Sequence, residues 1–217
     1  MLIACWSPKG GTGTTVVSAA LALGLAERRG PTLLADLAGD LPAVLGLPDP
    51  TGPGVADWLA AGSDVPGEAL TRLELEAGRN MRLLPLGLVG NAPPDPGRAP
   101  ALAAALARDR RPVVADCGRA ASGAGLAVAS GASLSLLVLR PCYLALRRAL
   151  AAPIRPSGVI LVAEGGRSLG RRDVEEVLGV RVRAEVAHDP AVARAVDAGL
   201  LTSRVPRRLE RSLRQAA

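Results

Sequence analysis

The chain has 217 residues, 49% of them hydrophobic and 21% charged, with a net charge of +6. That balance excludes a disordered or fibrous chain, and the length supports one good core, so a single domain over residues 1–217 is expected. Aromatic residues make up only 1% and Phe is absent, so the core must be built from Leu, Val, Ala and Ile, which suits helices on a parallel sheet.

Leu2 to Trp6 reads as a first strand, followed by a Gly-rich turn. Thr15 to Arg29 carries apolar residues at Val16, Ala20, Leu23 and Ala26, a helical spacing, and Gly30-Pro31 stops it. Thr32 to Ala35 is a strand ending at Asp36, and Asp40–Leu45 and Val55–Ala61 read as short helices. Met81 to Leu86 is a further strand, and the Pro- and Gly-rich stretch from Gly87 to Pro100 reads as a loop. Ala101–Arg108 is a helix, and Pro112–Ala115 a strand ending at Asp116. Strands follow at Leu134–Leu139 and Val159–Val162, with a helix at Tyr143–Ala151 between them. Helix Arg172–Leu178, strand Val180–Val186, helix Pro190–Ala198 and a basic helix Pro206–Gln215 complete the chain. Strands alternating with helices predict an α/β fold with a mostly parallel sheet covered on both faces.

Lys9 is the only lysine; every other strong base is arginine. The positive charge admits a nucleic-acid or anionic-membrane partner, or simply a solvated arginine-rich surface. Cys5, Cys117 and Cys142 are scattered without metal-type or CxxC spacing, which suggests packing residues in a reducing, cytoplasmic compartment. Leu2-Ile3-Ala4-Cys5 mimics a lipoprotein cleavage box, but no basic or apolar leader precedes it, so a buried strand is expected. The apolar region Leu126–Leu139 is broken by Ser130, Gly131, Ser133 and Ser135, so no membrane span is expected. His188 is the sole histidine, which leaves little for a histidine relay or metal cluster.

The chemistry concentrates in Ser7-Pro8-Lys9-Gly10-Gly11-Thr12-Gly13-Thr14-Thr15, between a strand and a helix. Glycines let the backbone curl so that amides converge on phosphate oxygens, and the helix N-terminus adds a favourable dipole. A hydroxyl at the head of the helix, here Thr15, is placed to ligate magnesium. Leu33-Leu34-Ala35-Asp36 and Val113-Val114-Ala115-Asp116 each run an apolar strand into a carboxylate at the sheet edge where ligands of open α/β folds sit.

This loop resembles the deviant phosphate loop of the ParA/MinD family, written KGGxGK followed by Ser or Thr. Lys9 matches the family's early signature lysine, which the resemblance places across a dimer interface on the partner's nucleotide phosphates. Thr14 stands where the family has its second lysine. Val113 to Asp116 is similar to the Walker B strand, with Asp116 positioned to hold magnesium through water. Asp36-Leu37-Ala38 departs from the family's D-x-D: the acid that positions the attacking water is replaced by Ala38, with Asp40 two residues beyond. Asp36 through Leu47, then Val55-Ala56-Asp57-Trp58-Leu59, is similar to the CpaE/TadZ branch. His188-Asp189-Pro190 through Gly199 resembles the segment near the base pocket, where Ala163-Glu164 replaces a base-contacting Asn.

The resemblance implies a P-loop fold and nucleotide contacts from Lys9, Gly10, Gly11, Thr12, Gly13, Thr14 and Thr15. It implies ATP or ADP with Mg2+ as ligand, Thr15, Asp36 and Asp116 around the metal, and Lys9, Asp36 and Asp40 as the catalytic candidates. Losing a charge-assisted contact of roughly 1.5–3 kcal/mol at Thr14 would weaken binding by about one to two decades and hydrolysis further. The function implied is a spatial regulator with weak or absent ATP hydrolysis. It would act as a homodimer with protein partners of a localisation, division or secretion system. An active Mg-dependent ATPase and a nucleotide-independent scaffold stay open as alternatives. Val205, Leu209 and Leu213 share a face of the last helix, which reads as docking onto the domain; weak DNA or anionic-membrane contact through its arginines stays open.

Overall fold

In the computed structural model the chain builds an eight-stranded sheet, and residues 1–62, 65–88, 95, 97–120 and 123–216 are described. The strands are β1 (Leu2–Trp6), β2 (Thr32–Asp36), β3 (Leu75–Glu76), β4 (Met81–Leu84), β5 (Val113–Asp116), β6 (Leu134–Leu139), β7 (Gly158–Ala163) and β8 (Val182–Ala187). Their spatial order is β3-β4-β2-β5-β1-β6-β7-β8. Every neighbouring pair is parallel except β3 with β4. β1 and β5 therefore sit in the interior, which is why both read as continuous apolar runs.

The helices are α1 (Thr14–Arg29), α2 (Leu41–Leu45), α3 (Val55–Ala60), α4 (Arg98–Arg108), α5 (Gly123–Gly131), α6 (Tyr143–Leu150), α7 (Arg171–Leu178), α8 (Pro190–Asp197) and α9 (Arg207–Leu213). They cover both faces. Leu2, Ala4 and Trp6 of β1 pack with side chains of α3 through α7, whereas Ile3 and Cys5 pack with α1, α2 and α9. The period-two alternation of a strand thus feeds two cores. Among the described residues no helix is long and apolar enough to cross a membrane.

The strand and helix order follows the sequence reading, with instructive exceptions. The expected loop from Gly87 to Pro100 falls partly on residues 89–94 and 96, outside the described residues. α4 nevertheless begins at Arg98, because Pro100 in a first helical turn removes an amide that has no helical partner anyway. β4 stops at Leu84 because Pro85 cannot donate to the ladder. α5 was not expected, since Gly-Ala-Gly-Leu-Ala-Val-Ala-Ser-Gly has no polar face to mark a period. Its small residues serve contact instead: a Cβ on Gly125 would lie 3.0 Å from the Cys117 carbonyl. A 3₁₀ helix at Gly67–Leu73 and the two-residue β3 were also too short to carry a pattern.

Two glycines lock α2 to the end of α8. Gly46 (φ 71°) and Gly199 (φ 65°) both adopt left-handed backbone, and a Cβ on Gly46 would run into the Gly199 carbonyl. The Thr202 hydroxyl donates to the Leu45 carbonyl beside this contact. At the end of the chain Leu209 and Leu213 are buried in the α1 core, so α9 docks onto the domain as its apolar face predicts.

Candidate functional site

β1, β2 and β5 end side by side, and the register brings Asp36 directly opposite Asp116 and Cys5 opposite Asp116 from the other side. The loop leaving β1 is anchored to the end of β5: the Ser7 amide donates to the Gly118 carbonyl at 2.8 Å, and the Ser7 hydroxyl donates to the Lys9 carbonyl at 2.9 Å. Gly11 (φ 75°) and Gly13 (φ 87°) take left-handed backbone, which turns the chain back on itself before α1. A Cβ at Gly10, Gly11 or Gly13 would meet nothing within 4 Å, so these glycines shape a turn rather than fill a gap.

The first amide captured by α1 is that of Val17, which donates to the Gly13 carbonyl at 3.0 Å. Among the described residues nothing accepts from the amides of Gly10 through Val16. Orphan amides at a helix start are ordinary, but a helix normally has a capping side chain, and Gly13 provides none. A run of free donors at the positive end of a 16-residue helix, opened by glycines, is suited to a phosphate group.

Beneath the loop the polar groups are buried and mostly satisfied. The Thr12 and Thr14 hydroxyls lie 2.8 Å apart, and the Ser18 hydroxyl donates to the Thr14 carbonyl at 2.9 Å. Thr14, which stands where the resemblance places a second lysine, is buried and turned toward Thr12. Lys9 and Thr15 are half-buried on the rim.

The two carboxylates differ. Asp36 Oδ1 accepts from the amides of Ala38 (2.9 Å) and Gly39 (2.6 Å), and its Oδ2 accepts from Leu41 at 3.2 Å. Asp36 thus folds the loop leading into α2; burial pushes its pKa up, and these three amides oppose the rise. Asp116 Oδ1 accepts from the Gly118 amide at 3.1 Å, while its Oδ2 is buried without a partner among the described residues. Burial pushes the Asp116 carboxyl up to about 6; the neighbouring Thr15 hydroxyl, although it makes no hydrogen bond to Oδ2, and the Gly118 amide hold it down, and the charges of Asp36 and Asp40 add to the rise. Asp40 is exposed, and its side chain does not cap α2, yet its charge reaches both buried acids.

The structure therefore brings Lys9 to Thr15, Asp36, Asp40 and Asp116 to one edge of the sheet. Ser7 and Gly118, which join the loop to β5, were not singled out from the sequence. Gly118 follows Asp116 by two residues, the spacing at which an Asp side chain takes a backbone amide, so the signal was present. His188 and Glu164 sit at the other end of the edge, where Glu164 is taken up by Arg167 (2.6 Å) and Arg140 (3.5 Å). Among the described residues no cluster of three or more His, Cys, Asp or Glu side chains is arranged to enclose a metal ion.

No family model matches the chain, and no curated protein sequence matches it. Solved structures do. The septum site-determining protein MinD of Pyrococcus horikoshii, solved with Mg-ADP, superposes with a TM-score of 0.78 at 22% identity, covering 97% of this chain and 91% of that one. A ParA family ATPase from Chlorobium tepidum gives a TM-score of 0.80 at 21% identity, covering 98% and 96%. The cell division ATPase MinD of Pyrococcus furiosus gives 0.78 at 23% identity, covering 100% and 99%. At these identities the likeness establishes the fold, an α/β sheet of the P-loop kind, mostly parallel and flanked by helices on both faces.

Proposed function

We propose that the chain is a single-domain nucleotide-binding switch of the ParA/MinD type, built to hold Mg-nucleotide and to hydrolyse it weakly or not at all. The observation that carries this reading is the run of unclaimed amides from Gly10 to Val16 beside an unpartnered buried Asp116 oxygen. Both suit Mg-nucleotide: the amides take phosphate oxygens, and Thr15 with Asp116 would hold the ion, which supplies charge neutralisation between phosphates. Gly10, Gly11 and Gly13 leave room for backbone to approach the ligand, and the Thr12 and Thr14 hydroxyls brace the loop from below. Lys9 on the rim is free to reach a nucleotide held by a second copy, as in the family it resembles.

Slow turnover follows from Thr14 and Ala38. A hydroxyl bonded to Thr12 does not supply the cation that developing charge calls for, and Ala38 has no group to orient water. The same resemblance points to a cytoplasmic homodimer, of the CpaE/TadZ kind, that recruits protein partners of a localisation, division or secretion system. One observation favours a second reading, an active Mg-dependent ATPase: exposed Asp40, at the start of α2, stands two residues past Ala38 at the same sheet edge and offers a carboxylate beside the acid missing there.

Calorimetric titration of Mg-ATP and Mg-ADP into the purified chain tests the switch. Micromolar binding that Lys9→Ala weakens is the expected result, with Thr14→Lys tightening it by about tenfold or more. No heat up to millimolar nucleotide would leave a nucleotide-independent scaffold and sink the proposal. Steady-state phosphate release abolished by Asp40→Ala would favour the ATPase reading instead.

A further inference from the structure

On the α1 face, well away from the phosphate loop, the fold encloses a groove of about 1180 Å³ between the C-terminal half of α1, the turn before β4, α8 and α9. Arg79, Arg194, Arg204, Arg207 and Arg208 line it, all exposed. They come from three separate stretches of chain, so their convergence is invisible in the sequence. No ion pair among the described residues involves any of the five. Three carboxylates share the walls, and two are committed: Glu210 to Arg214 at 2.8 Å, and Asp189 to the Ala191 amide at 2.8 Å. Only Glu27 is left against five free guanidinium forks.

We propose that this groove binds an extended acidic peptide segment of a partner protein, with apolar side chains interspersed among its carboxylates. Guanidinium groups match carboxylates in bidentate geometry, and a concave wall presents several at once along a chain. Leu23, Val205 and the half-exposed Leu200 add apolar surface to the lining, and a phosphate backbone has no apolar side chain to cover it. The lining holds no Trp or Tyr on which bases could stack. The uncommitted Glu27 would repel a uniformly charged nucleic-acid backbone, whereas a peptide can place a neutral or basic residue against it. Asp189, Ala191, Arg194 and Ala195 lie in the segment that resembles the one near the base pocket, so the test is made without nucleotide, where its outcome is separate from the switch reading.

Fluorescence anisotropy of a short fluorescein-labelled peptide alternating Glu and Leu, titrated with the full chain without nucleotide, tests the groove. Binding is expected, with loss of roughly tenfold or more in affinity for the Arg194→Glu/Arg207→Glu double variant. The Arg148→Glu/Arg172→Glu double variant, an equal charge change on α6 and α7 across the sheet, should leave affinity unchanged, and a Gln-Leu peptide should not bind. The Arg194→Gln/Arg207→Gln pair, checked by circular dichroism, gives the same direction without charge reversal. Absence of binding, or equal weakening by Arg148→Glu/Arg172→Glu, overturns the proposal. Tighter binding of a labelled DNA duplex that the same double variant abolishes also overturns it, in favour of a nucleic-acid surface.

Discussion

Asp116 carries a cost that pH can expose. An ionised carboxylate with one oxygen buried and unpartnered is disfavoured, and its pKa rises from the ordinary 3.8 to about 6. Because the fold raises the pKa, it binds this proton more tightly than the unfolded chain does. That contribution to stability is fully present below about pH 4 and is lost as pH climbs through about 6. Asp116→Asn removes the charge at its source. In metal-free protein it should raise the melting temperature by several degrees above pH 7, reflecting up to about 3 kcal/mol, with the gain vanishing near pH 4. Melts in chelator across that range would show it; a pH-independent difference between the two proteins would contradict the burial argument. On the proposed switch reading, the same substitution should weaken nucleotide binding in magnesium more than in chelator, because Asp116 would then no longer help to hold the ion. Asp36 differs: with three amides already on its oxygens, Asp36→Ala should loosen the loop into α2 and lower stability at neutral pH.

At the scale of elements, the α2–α8 contact gives the sharpest test. Gly46→Ala places a Cβ both in left-handed backbone and against the Gly199 carbonyl. Strain of about 1 kcal/mol for the backbone plus the clash should cost at least about 2 kcal/mol, read as a lower urea midpoint. Gly179→Ala is the control: Gly179 has φ 63° at the end of α7, but a Cβ there meets nothing within 4 Å. It should cost only the backbone share, about 1 kcal/mol. Equal losses would mean that the two elements move apart without penalty. This contrast also marks what the sequence carries at this scale. A glycine after a helix signals its end in both cases, but the close approach of a second glycine far along the chain has no local signature. Strand ends were readable because β2 and β5 run unbroken apolar residues into Asp36 and Asp116. α5 was not, because a helix of small apolar residues packed against α4 lacks a polar face.

Across the whole molecule, the parallel order follows from alternating strands and helices, and that order alone puts the ends of β1, β2 and β5 together. Residues that sequence spacing associates only with their own strands thereby come to lie along one sheet edge, while the arginines of the groove gather by tertiary packing that no motif announces. α9 tests how far this integration reaches. Its amphipathic pattern suits either a membrane-surface helix or a docked one, and Leu209 at 3% and Leu213 at 2% exposure place the apolar face inside the fold. Leu213→Ala should therefore lower unfolding free energy by about 2–4 kcal/mol, the cost of truncating a buried leucine. It should leave pelleting with anionic vesicles unchanged, since the side chain is not available to lipid. An exchangeable anchor would behave oppositely, losing vesicle binding while keeping its urea midpoint. The two measurements on one variant thus separate a helix that completes the α1 core from one held in reserve for a membrane.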